Sequence, residues 1–251
     1  MELNCRLYDH FHEKAQGIEV ETLCIGLSYT AVTTADGGIG IAYTYVDNRR
    51  CCSKHRDYRD YEGARAVDLL SQIRSPDPLH RGMGLALVNA LNYRDACGFP
   101  EDSNDRFWMD SFNIGPETRV AMVGFFRPLM GILQDRGALV EVLDDFQGVG
   151  DRSIFYRKLS EWAEVLILTS TSILNDSTEE VLGRLAPGAK TIMLGPSTPM
   201  VAEAFGHLPV HILAGTVPVD KEAVLKAVRH GVGTPVIHRF SRKVCLTIDD
   251  K

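Results

Sequence analysis

Residues 164–180, "EVLILTSTSILNDSTEE", decide the fold class. The stretch begins as a short continuous apolar run and then changes abruptly to hydroxyl and amide side chains before the next helix starts. Such an uninterrupted apolar run is typical of a strand that is buried on both faces of a parallel sheet. The polar residues that follow it therefore stand where this strand would leave the sheet.

The same alternation of apolar strand and helix repeats through the C-terminal half of the chain. Further strands are expected in "RVAMVGF" (119–125), "ALVEVL" (138–143), "KTIMLG" (190–195) and "PVHILAG" (209–215). Helices are expected over 128–137, from about Thr178, near 199–205 and from Asp220. This order predicts a Rossmann-like parallel sheet with helices on both faces. The tail, 235–248, is predicted to form a hairpin around Ser241 and Arg242.

The N-terminal part has an α+β pattern instead. A helical segment (7–15) precedes three β-rich runs (18–27, 30–35 and 38–46), and "DGG" between the last two favours a tight hairpin turn. Two helices should follow, one over 64–73 and one that Asp77 caps and Pro78 opens. A Gly-, Pro- and Asp-rich segment from about residue 98 indicates a linker. We therefore expect an antiparallel meander with helices over 1–103 and the Rossmann-like domain over 104–251.

The overall charge excludes one class of partner. The formal net charge is −6 and the pI is near 5.8, and no run of Lys or Arg offsets this acidity locally, so no nucleic-acid partner is expected. The sequence has no basic head followed by an apolar core and no run of about eighteen apolar residues. We expect a cytoplasmic protein that does not enter a membrane.

The cysteines allow one candidate metal site. Six cysteines are spread over the chain without a CxxC pair, so reduced thiols are expected. "CCSKH" places Cys51, Cys52 and His55 close together, and two thiolates with an imidazole would suit a soft metal ion. Because adjacent side chains diverge in a helix or a strand, a loop with free thiols is the preferred interpretation.

The residues at the ends of the predicted parallel strands share one chemistry. They are small or carry hydroxyl groups, and they include Gly124, Thr169–Ser172, Gly195, Ser197, Thr198, Gly215 and Thr216. Carboxyl ends of parallel strands lie on one edge of a sheet, where α/β proteins bind ligands, so these residues predict a pocket. Helix capping is the alternative, but a capping box of Ser177 and Glu180 accounts only for those two residues.

A dinucleotide site is not supported by a glycine fingerprint, because "GFFRP" stands where the later glycines would be. Arg127, beside the helix that Pro128 opens, could hold a carboxylate or a phosphate. Asp144 and Asp145 stand about twenty residues past Gly124, where such folds contact ribose hydroxyls. Ribose contact and an exposed acidic loop are equally compatible with this pair.

Together these features resemble one known family. The chain resembles the "putative heavy-metal chelation" family. The segments that carry the resemblance are "GLSYTAV" (26–32), "GLALVNA" (84–90), "VGFFRP" (123–128), "LTSTSILNDSTEEVL" (168–182), "LGPSTPM" (194–200) and "LAGTVPVD" (213–220). The resemblance implies an enolase N-terminal-like domain followed by a Rossmann-like domain, with a ligand site in the cleft between them. The expected ligand-binding residues are Tyr29, Thr30, Gly124, Phe125, Arg127, Asp144, Thr169, Ser170, Thr171, Asn175, Asp176, Gly195, Pro196, Ser197, Thr198, Gly215 and Thr216.

The chain departs from what the family's name suggests, since its recurring loops supply hydroxyls and amides with few thiolates or imidazoles. We therefore expect it to bind a small anionic or chelate-type ligand, including a metal complex, in the inter-domain cleft. Whether it is an enzyme of metal or cofactor metabolism stays open; Asp176 could act as acid or base, and Tyr29 or Tyr43 could donate a proton. The alternatives are a metal carrier using Cys51, Cys52 and His55 and a nucleotide-dependent enzyme. The oligomeric state, a homo-oligomer included, stays open too.

Overall fold

The computed structural model describes residues 1–45 and 59–248. Within these residues, nine strands form an antiparallel three-stranded sheet and a mostly parallel six-stranded sheet. The candidate metal cluster of Cys51, Cys52 and His55 lies outside the described residues. None of the helices in the described ranges is long and apolar enough to cross a membrane.

The N-terminal sheet is the meander that the sequence predicts. Its elements in chain order are α1 (Glu2–Gln16), β1 (Val20–Ile25), β2 (Tyr29–Thr34), β3 (Ile39–Tyr43), α2 (Ala66–Leu70), a 3-10 turn (Ser71–Arg74), α3 (Pro78–Leu91) and α4 (Tyr93–Ala96). Asp77 caps α3 as expected, because its carboxylate accepts the Leu79 N–H at 2.9 Å. The helix α3 lies directly on β3, since a Cβ at Gly40 would stand 2.2 Å from the Ala86 carbonyl oxygen.

The C-terminal sheet has the Rossmann-like alternation. Its elements are α5 (Arg106–Ser111), β4 (Arg119–Val123), α6 (Arg127–Asp135), β5 (Leu139–Leu143), α7 (Arg152–Glu161), β6 (Val165–Thr169), a 3-10 turn (Ser170–Ile173), α8 (Thr178–Leu182), β7 (Lys190–Leu194), a 3-10 turn (Ala202–Phe205), β8 (Ile212–Pro218), α9 (Lys221–Arg229), α10 (Thr234–Ile237), a 3-10 turn (His238–Phe240) and β9 (Ser241–Thr247). The strand order is β5-β4-β6-β7-β8-β9, and β9 alone runs antiparallel within the described sheet. Because the order reverses at β4, the crevice that such sheets offer to ligands opens between β4 and β6.

The predicted C-terminal hairpin is wrong. Residues 234–240 are helical, and β9 is a single strand that pairs with β8 from Ile212 opposite Thr247 to Pro218 opposite Ser241. This pairing also extends β8 through Gly215 and Thr216, which therefore lie inside a strand and not in an exit loop. Alternating apolar residues suit one antiparallel edge strand as well as half of a hairpin, and the partner strand decides between them.

The predicted linker is wrong as well. It contains α5, whose Trp108 and Met109 are completely buried against the C-terminal sheet. Glu101 forms an antiparallel bridge with Val244 of β9, so this segment is part of the packed structure. The helix α7, which the sequence-based interpretation did not include, covers β5 and β4 with Phe155 and Leu159. The domain boundary at 103/104 stays a prediction.

Apolar packing joins the two halves of the molecule. One face of the N-terminal sheet packs on α3, and its other face packs on α9 and α10, which follow β8 in the chain. Ile39 and Ile41 contact the apolar face of α9 in this cluster. The N-terminal sheet is thus held beside the C-terminal sheet, with the end of β3 next to the carboxyl ends of the parallel strands.

Candidate functional site

Three loops leave the carboxyl edge of the C-terminal sheet side by side. We refer to residues 124–127, 169–171 and 195–197 as the edge loops. A Cβ at Gly124, which has a φ of +88°, would lie 2.9 Å from Thr169 Cβ, and a Cβ at Gly195, with a φ of +134°, would lie 2.7 Å from Ser170 Oγ. Glycine at both positions therefore lets each loop touch the next one.

The N-terminal sheet reaches these loops through Ser197. The Tyr43 N–H donates to Ser197 Oγ at 2.7 Å, and Asn89 Nδ2 donates to the Ser197 carbonyl at 3.3 Å and to the Ile41 carbonyl at 2.9 Å. Ser197 is buried by this contact. Its hydroxyl accepts the Tyr43 bond, so its own proton is available to a neighbouring acceptor.

Two tyrosines, Tyr43 and Tyr45, stand at the end of β3, where the chain contacts the edge loops. Tyr43 and Tyr45 are half-buried, and their hydroxyl groups are near enough for charge on Tyr45 to influence Tyr43. Burial raises the pKa of Tyr43, and Tyr45 and Asp144 raise it further. The Tyr43 hydroxyl therefore stays protonated at neutral pH and can serve as a hydrogen-bond donor.

Tyr29 and Thr30 are engaged inside the protein. Tyr29 is buried among residues of α9 and α10, and its hydroxyl shares a 2.6 Å hydrogen bond with Thr234 Oγ1. Burial raises the pKa of Tyr29 to about 12. The buried Thr30 hydroxyl pairs with Thr44 Oγ1 at 3.0 Å. Tyr43, on the neighbouring strand, packs edge-on against the Tyr29 ring at 6.1 Å, and its main-chain N–H bonds to Ser197 of the edge loops.

Asp144 holds the first edge loop in place. Its Oδ2 accepts the Phe125 N–H at 2.8 Å, and its Oδ1 accepts the Gln147 N–H at 2.9 Å. Gln147 Nε2 adds a third bond at 3.2 Å. The neighbouring Asp145 is exposed and pairs with Arg152 at 2.9 Å. Asp144, for which the sequence left ribose contact and an exposed loop equally open, is therefore occupied by the protein's own amides.

The start of α6 offers a positive surface. Phe126 occupies its N-cap position and supplies no side-chain cap, and Pro128 stands in the first turn. Arg127 is exposed at the same end. The positive end of the helix dipole and the Arg127 guanidinium both favour an anion, so this edge loop can attract one.

The hydroxyl-rich segment after β6 mostly bonds to itself. Thr169 Oγ1 accepts the Thr171 N–H at 3.3 Å and shares a bond with Thr171 Oγ1 at 2.9 Å. Ser172 and Thr178 share a buried bond of 2.8 Å. The proposed capping box is wrong, because Ser177 Oγ donates to Asn175 Oδ1 and makes no cap bond. Glu180 pairs with Arg184.

Asp176 forms an ion pair with the amino group of Met1. It has a left-handed φ of +62°, and its Oδ1 lies 3.0 Å from the amino group of Met1. Glu179 contacts the same amino group at 3.2 Å. Asn175, its neighbour, is exposed and accepts the Ser177 N–H at 3.2 Å. Asn175 and Asp176 are therefore engaged by Ser177 and Met1 and not by the edge loops.

Thr198 and Thr216 line a separate narrow crevice between α3 and β8, and Gly215 packs against it, since a Cβ there would lie 3.2 Å from the Thr198 carbonyl oxygen. Asn89, Asn92 and Met200 also line it, and Asn92 Nδ2 donates to the Met200 carbonyl at 2.8 Å. Thr198 Oγ1 is buried here without a hydrogen-bond partner among the described residues. Thr216 Oγ1 contacts His238 Nε2 at 3.4 Å. Pro196, in contrast, stays partly exposed on the edge-loop side.

The described residues do not fit a bare heavy-metal ion. Among them, no group of three or more His, Cys, Asp or Glu side chains could hold a metal. The thiol of Cys245 is buried beside Asp102, and burial raises its pKa to about 12, which disfavours the thiolate that a metal needs. The hydroxyl groups and main-chain amides of the edge loops instead suit the oxygen atoms of an organic ligand or an anion.

Sequence reasoning did not identify Tyr45 or Arg81. Arg81 lies in α3 and is only 5% exposed, with Nε bonded to the Leu174 carbonyl at 2.6 Å and Nη1 to the Ser75 carbonyl at 2.8 Å. The signal in the sequence is a charged residue on the face of "PLHRGMGLALV" that otherwise packs inward. A buried arginine is rare enough in proteins to mark a position for attention.

Comparison with known proteins identifies relatives over the full length of the chain. A family model (DUF364) described as "Putative heavy-metal chelation" matches residues 108–247, and a second model (DUF4213) with the same description matches residues 8–92. An uncharacterised protein of Methanocaldococcus jannaschii is 22% identical over 257 residues, which cover 99% of this chain and 97% of that protein.

Solved structures show the same fold. A protein with unknown function from the DUF364 family of Pyrococcus horikoshii superposes with a TM-score of 0.82 at 19% identity, covering 99% of this chain and 100% of that one. A second protein of that family, from Desulfitobacterium hafniense, gives a TM-score of 0.76 at 17% identity, covering 96% and 97% of the two chains. The expected combination of an N-terminal antiparallel sheet and a C-terminal parallel sheet is thereby confirmed.

Proposed function

The chain belongs to the family described as "Putative heavy-metal chelation", and from this premise we propose that it binds a small anionic or chelate-type ligand at the edge loops. The observation that carries the proposal is the contact of Gly124 with Thr169 and of Gly195 with Ser170, beside Tyr43. These contacts put small residues and hydroxyls next to one another at the point where strand order reverses.

The donors at this position favour a metal complex over a free ion. A chelate presents oxygen atoms or other acceptors on its outside, and these can accept hydrogen bonds from hydroxyl groups such as those of Tyr43 and Thr171, which are both partly exposed. Arg127 and the start of α6 would attract the negative charge of such a ligand. A soft ion in direct contact with the protein would instead need thiolates or imidazoles, which the edge loops lack.

Tyr43 is the residue through which this site would carry out proton chemistry, if the protein acts on its ligand. Its hydroxyl is protonated at neutral pH, and burial shifts its pKa further upward, so it can donate a hydrogen bond to charge that develops on a bound molecule. Asp176, considered as acid or base from the sequence, is engaged by the Met1 amino group. A nucleotide ligand has less support than a chelate, because Asp144 is occupied by Phe125 and Gln147. The cytoplasmic location stays a prediction.

A thermal-shift screen followed by substitution tests the proposal. Divalent metal ions, nucleotides, S-adenosylmethionine and tetrapyrrole-like chelates are added singly, since a ligand at about a hundredfold excess over its dissociation constant stabilises the protein by about 2.7 kcal/mol. The stabilising compound is then titrated by calorimetry into Tyr43→Phe and Thr171→Val. Each variant removes one hydroxyl and keeps the shape of its side chain.

The paired variant Cys51→Ser, Cys52→Ser is the matched control. The proposal expects weaker ligand binding in both hydroxyl variants and unchanged binding in the cysteine variant. A metal carrier would give the reverse, with tight binding of a divalent ion that the cysteine variant loses. Unchanged binding in Tyr43→Phe and Thr171→Val would place the ligand elsewhere and remove the basis of the proposal.

A further inference from the structure

Arg81 is a buried cation whose charge is not paired. Its side chain is enclosed by α3, the 3-10 turn before it and the segment after β6, and no carboxylate of the described residues lies within 4.0 Å of its guanidinium. Both of its hydrogen bonds end on neutral backbone carbonyls, those of Leu174 and Ser75. Buried arginines are normally paired with an acid, so this one stands out.

One nitrogen of Arg81 remains free to bind. Nε and Nη1 are used, whereas Nη2 makes no hydrogen bond with the described residues and does not belong to the fully buried polar atoms that lack a partner. The Nη2 group therefore keeps two N–H donors and some access to solvent. The two carbonyl contacts fix the plane of the guanidinium, so these donors have a defined direction.

The surroundings of Arg81 connect it with the candidate site. Leu174 follows the segment that begins with the edge loop at Thr169, and Tyr45 extends from the end of β3 beside Tyr43. Burial lowers the pKa of Arg81, while the charges of Asp176, Asp77 and Tyr45 act in the opposite direction. Asp77 caps α3 and Asp176 pairs with Met1, so each of these acids is already engaged by another group.

We propose that Arg81 is the anchor for an oxyanion group of the ligand, a carboxylate or a phosphate, which the Nη2 donors hold. This inference rests on the proposed function and deepens it, because it names the chemical group by which the ligand is recognised. A guanidinium whose remaining donors face an anion gains charge-assisted hydrogen bonds, and burial strengthens them. The expected ligand thus carries a carboxylate or a phosphate that can enter between α3 and the segment after β6.

The test is a calorimetric titration of the full chain with inorganic phosphate and, separately, with succinate. Ionic strength is held constant with sodium chloride, so that only specific binding is seen. The variants are Arg81→Lys, which keeps the charge and loses the forked donors, and Arg81→Gln, which loses the charge. Arg127→Gln is included because Arg127, at the start of α6, is the other candidate for the anion. Arg136→Gln is the matched control, because Arg136 also bonds to a backbone carbonyl, that of Ile114, but already has Asp110 at 2.7 Å.

We expect saturable binding of at least one of the two anions to the wild type and to Arg136→Gln. Affinity should fall at least about tenfold in Arg81→Lys and below detection in Arg81→Gln. Whichever anion binds identifies the group. If Arg81→Gln does not fold, Arg81→Lys decides the result.

Three results would overturn the inference: neither anion binds the wild type, Arg81→Lys binds as tightly as the wild type while being less stable, or the loss occurs only in Arg127→Gln. The last result would assign the anion to α6. Failure here is distinct from failure of the proposed function. If chelate binding depends on Tyr43 but not on Arg81, the proposed function holds and the role of Arg81 is wrong. If anion binding depends on Arg81 but Tyr43→Phe has no effect on ligand binding, the role of Arg81 holds and the proposed function is wrong.

Discussion

Gly195→Ala should destabilise the protein strongly, because the edge loops touch at this residue. The φ of +134° lies in a region that residues with a Cβ rarely adopt, which costs about 1–3 kcal/mol. The new methyl group would also stand 2.7 Å from Ser170 Oγ, and turning Ser170 out of its rotamer costs about 0.5–1.5 kcal/mol more. We expect a total loss of about 2–4 kcal/mol in the free energy of unfolding.

Gly188→Ala separates the two contributions. Gly188 also has a positive φ, +81°, but an added Cβ there would meet nothing within 4 Å, so only the backbone cost applies. Ser170→Ala combined with Gly195→Ala should recover the contact term of about 0.5–1.5 kcal/mol, because the atom that is struck has been removed. Urea unfolding of the four proteins measures these differences directly.

The thermal midpoint gives an independent measurement of the same quantity. For a chain of this size a loss of 1 kcal/mol lowers the melting temperature by roughly 2–4 °C, so Gly195→Ala should melt roughly 4–16 °C lower. The reasoning is refuted if Gly195→Ala is no less stable than Gly188→Ala. It is also refuted if Ser170→Ala restores nothing, since the loops would then not be in contact at this point.

Three further substitutions test other parts of the structure. Asp144→Ala should lower the free energy of unfolding by about 1–3 kcal/mol and speed amide exchange at Phe125, whereas Asp145→Ala should change little; equal effects would contradict the assigned bonds. Thr198→Val should raise the free energy of unfolding by about 1 kcal/mol, because it removes a buried hydroxyl without a partner, and a loss in urea unfolding would show that the hydroxyl is satisfied. Between pH 10 and about 12, the free energy of unfolding of the wild type should fall by about 1.4 kcal/mol per pH unit relative to that of Tyr29→Phe. The reason is that the pKa of Tyr29 is higher in the folded than in the unfolded state, so the folded protein keeps a proton that the unfolded chain has lost. Parallel pH profiles of the two proteins would contradict this.

The parallel strands could be predicted because each is buried on both faces. The strands β4 and β6 carry apolar residues at every central position and β7 does so except at the buried Thr191, a pattern that is typical of strands covered on both faces. The start of α3 could be predicted for a local reason as well, since Asp77 and Pro78 act within one turn of the helix. Both features depend on interactions between residues that are close in sequence or on burial alone.

The predictions that failed concern features that are decided by competing hydrogen bonds or by contacts between residues far apart in the sequence. The helix α7 was missed because only Phe155 and Leu159 of its ten residues are buried, which leaves a weak apolar period. The capping box failed because Asn175 takes the Ser177 hydroxyl that would have capped α8. The tail failed because its pairing with β8 joins residues far apart in the chain, and no local pattern distinguishes that pairing from a hairpin.

The candidate site, too, has one part that could be predicted from the sequence and one part that could not. The edge loops could be located from strand ends, because parallel strands all leave the sheet on one side. Which side chains are near a ligand depends instead on how the N-terminal sheet packs against these loops. The Tyr29 side chain is buried under α9 and α10, and the main-chain N–H of Tyr43 bonds to Ser197. Arg81 illustrates the limit most clearly. An arginine in a helix is ordinarily a surface residue, and only the packing of α3 against the segment after β6 turns it into a buried charge that needs a counter-ion.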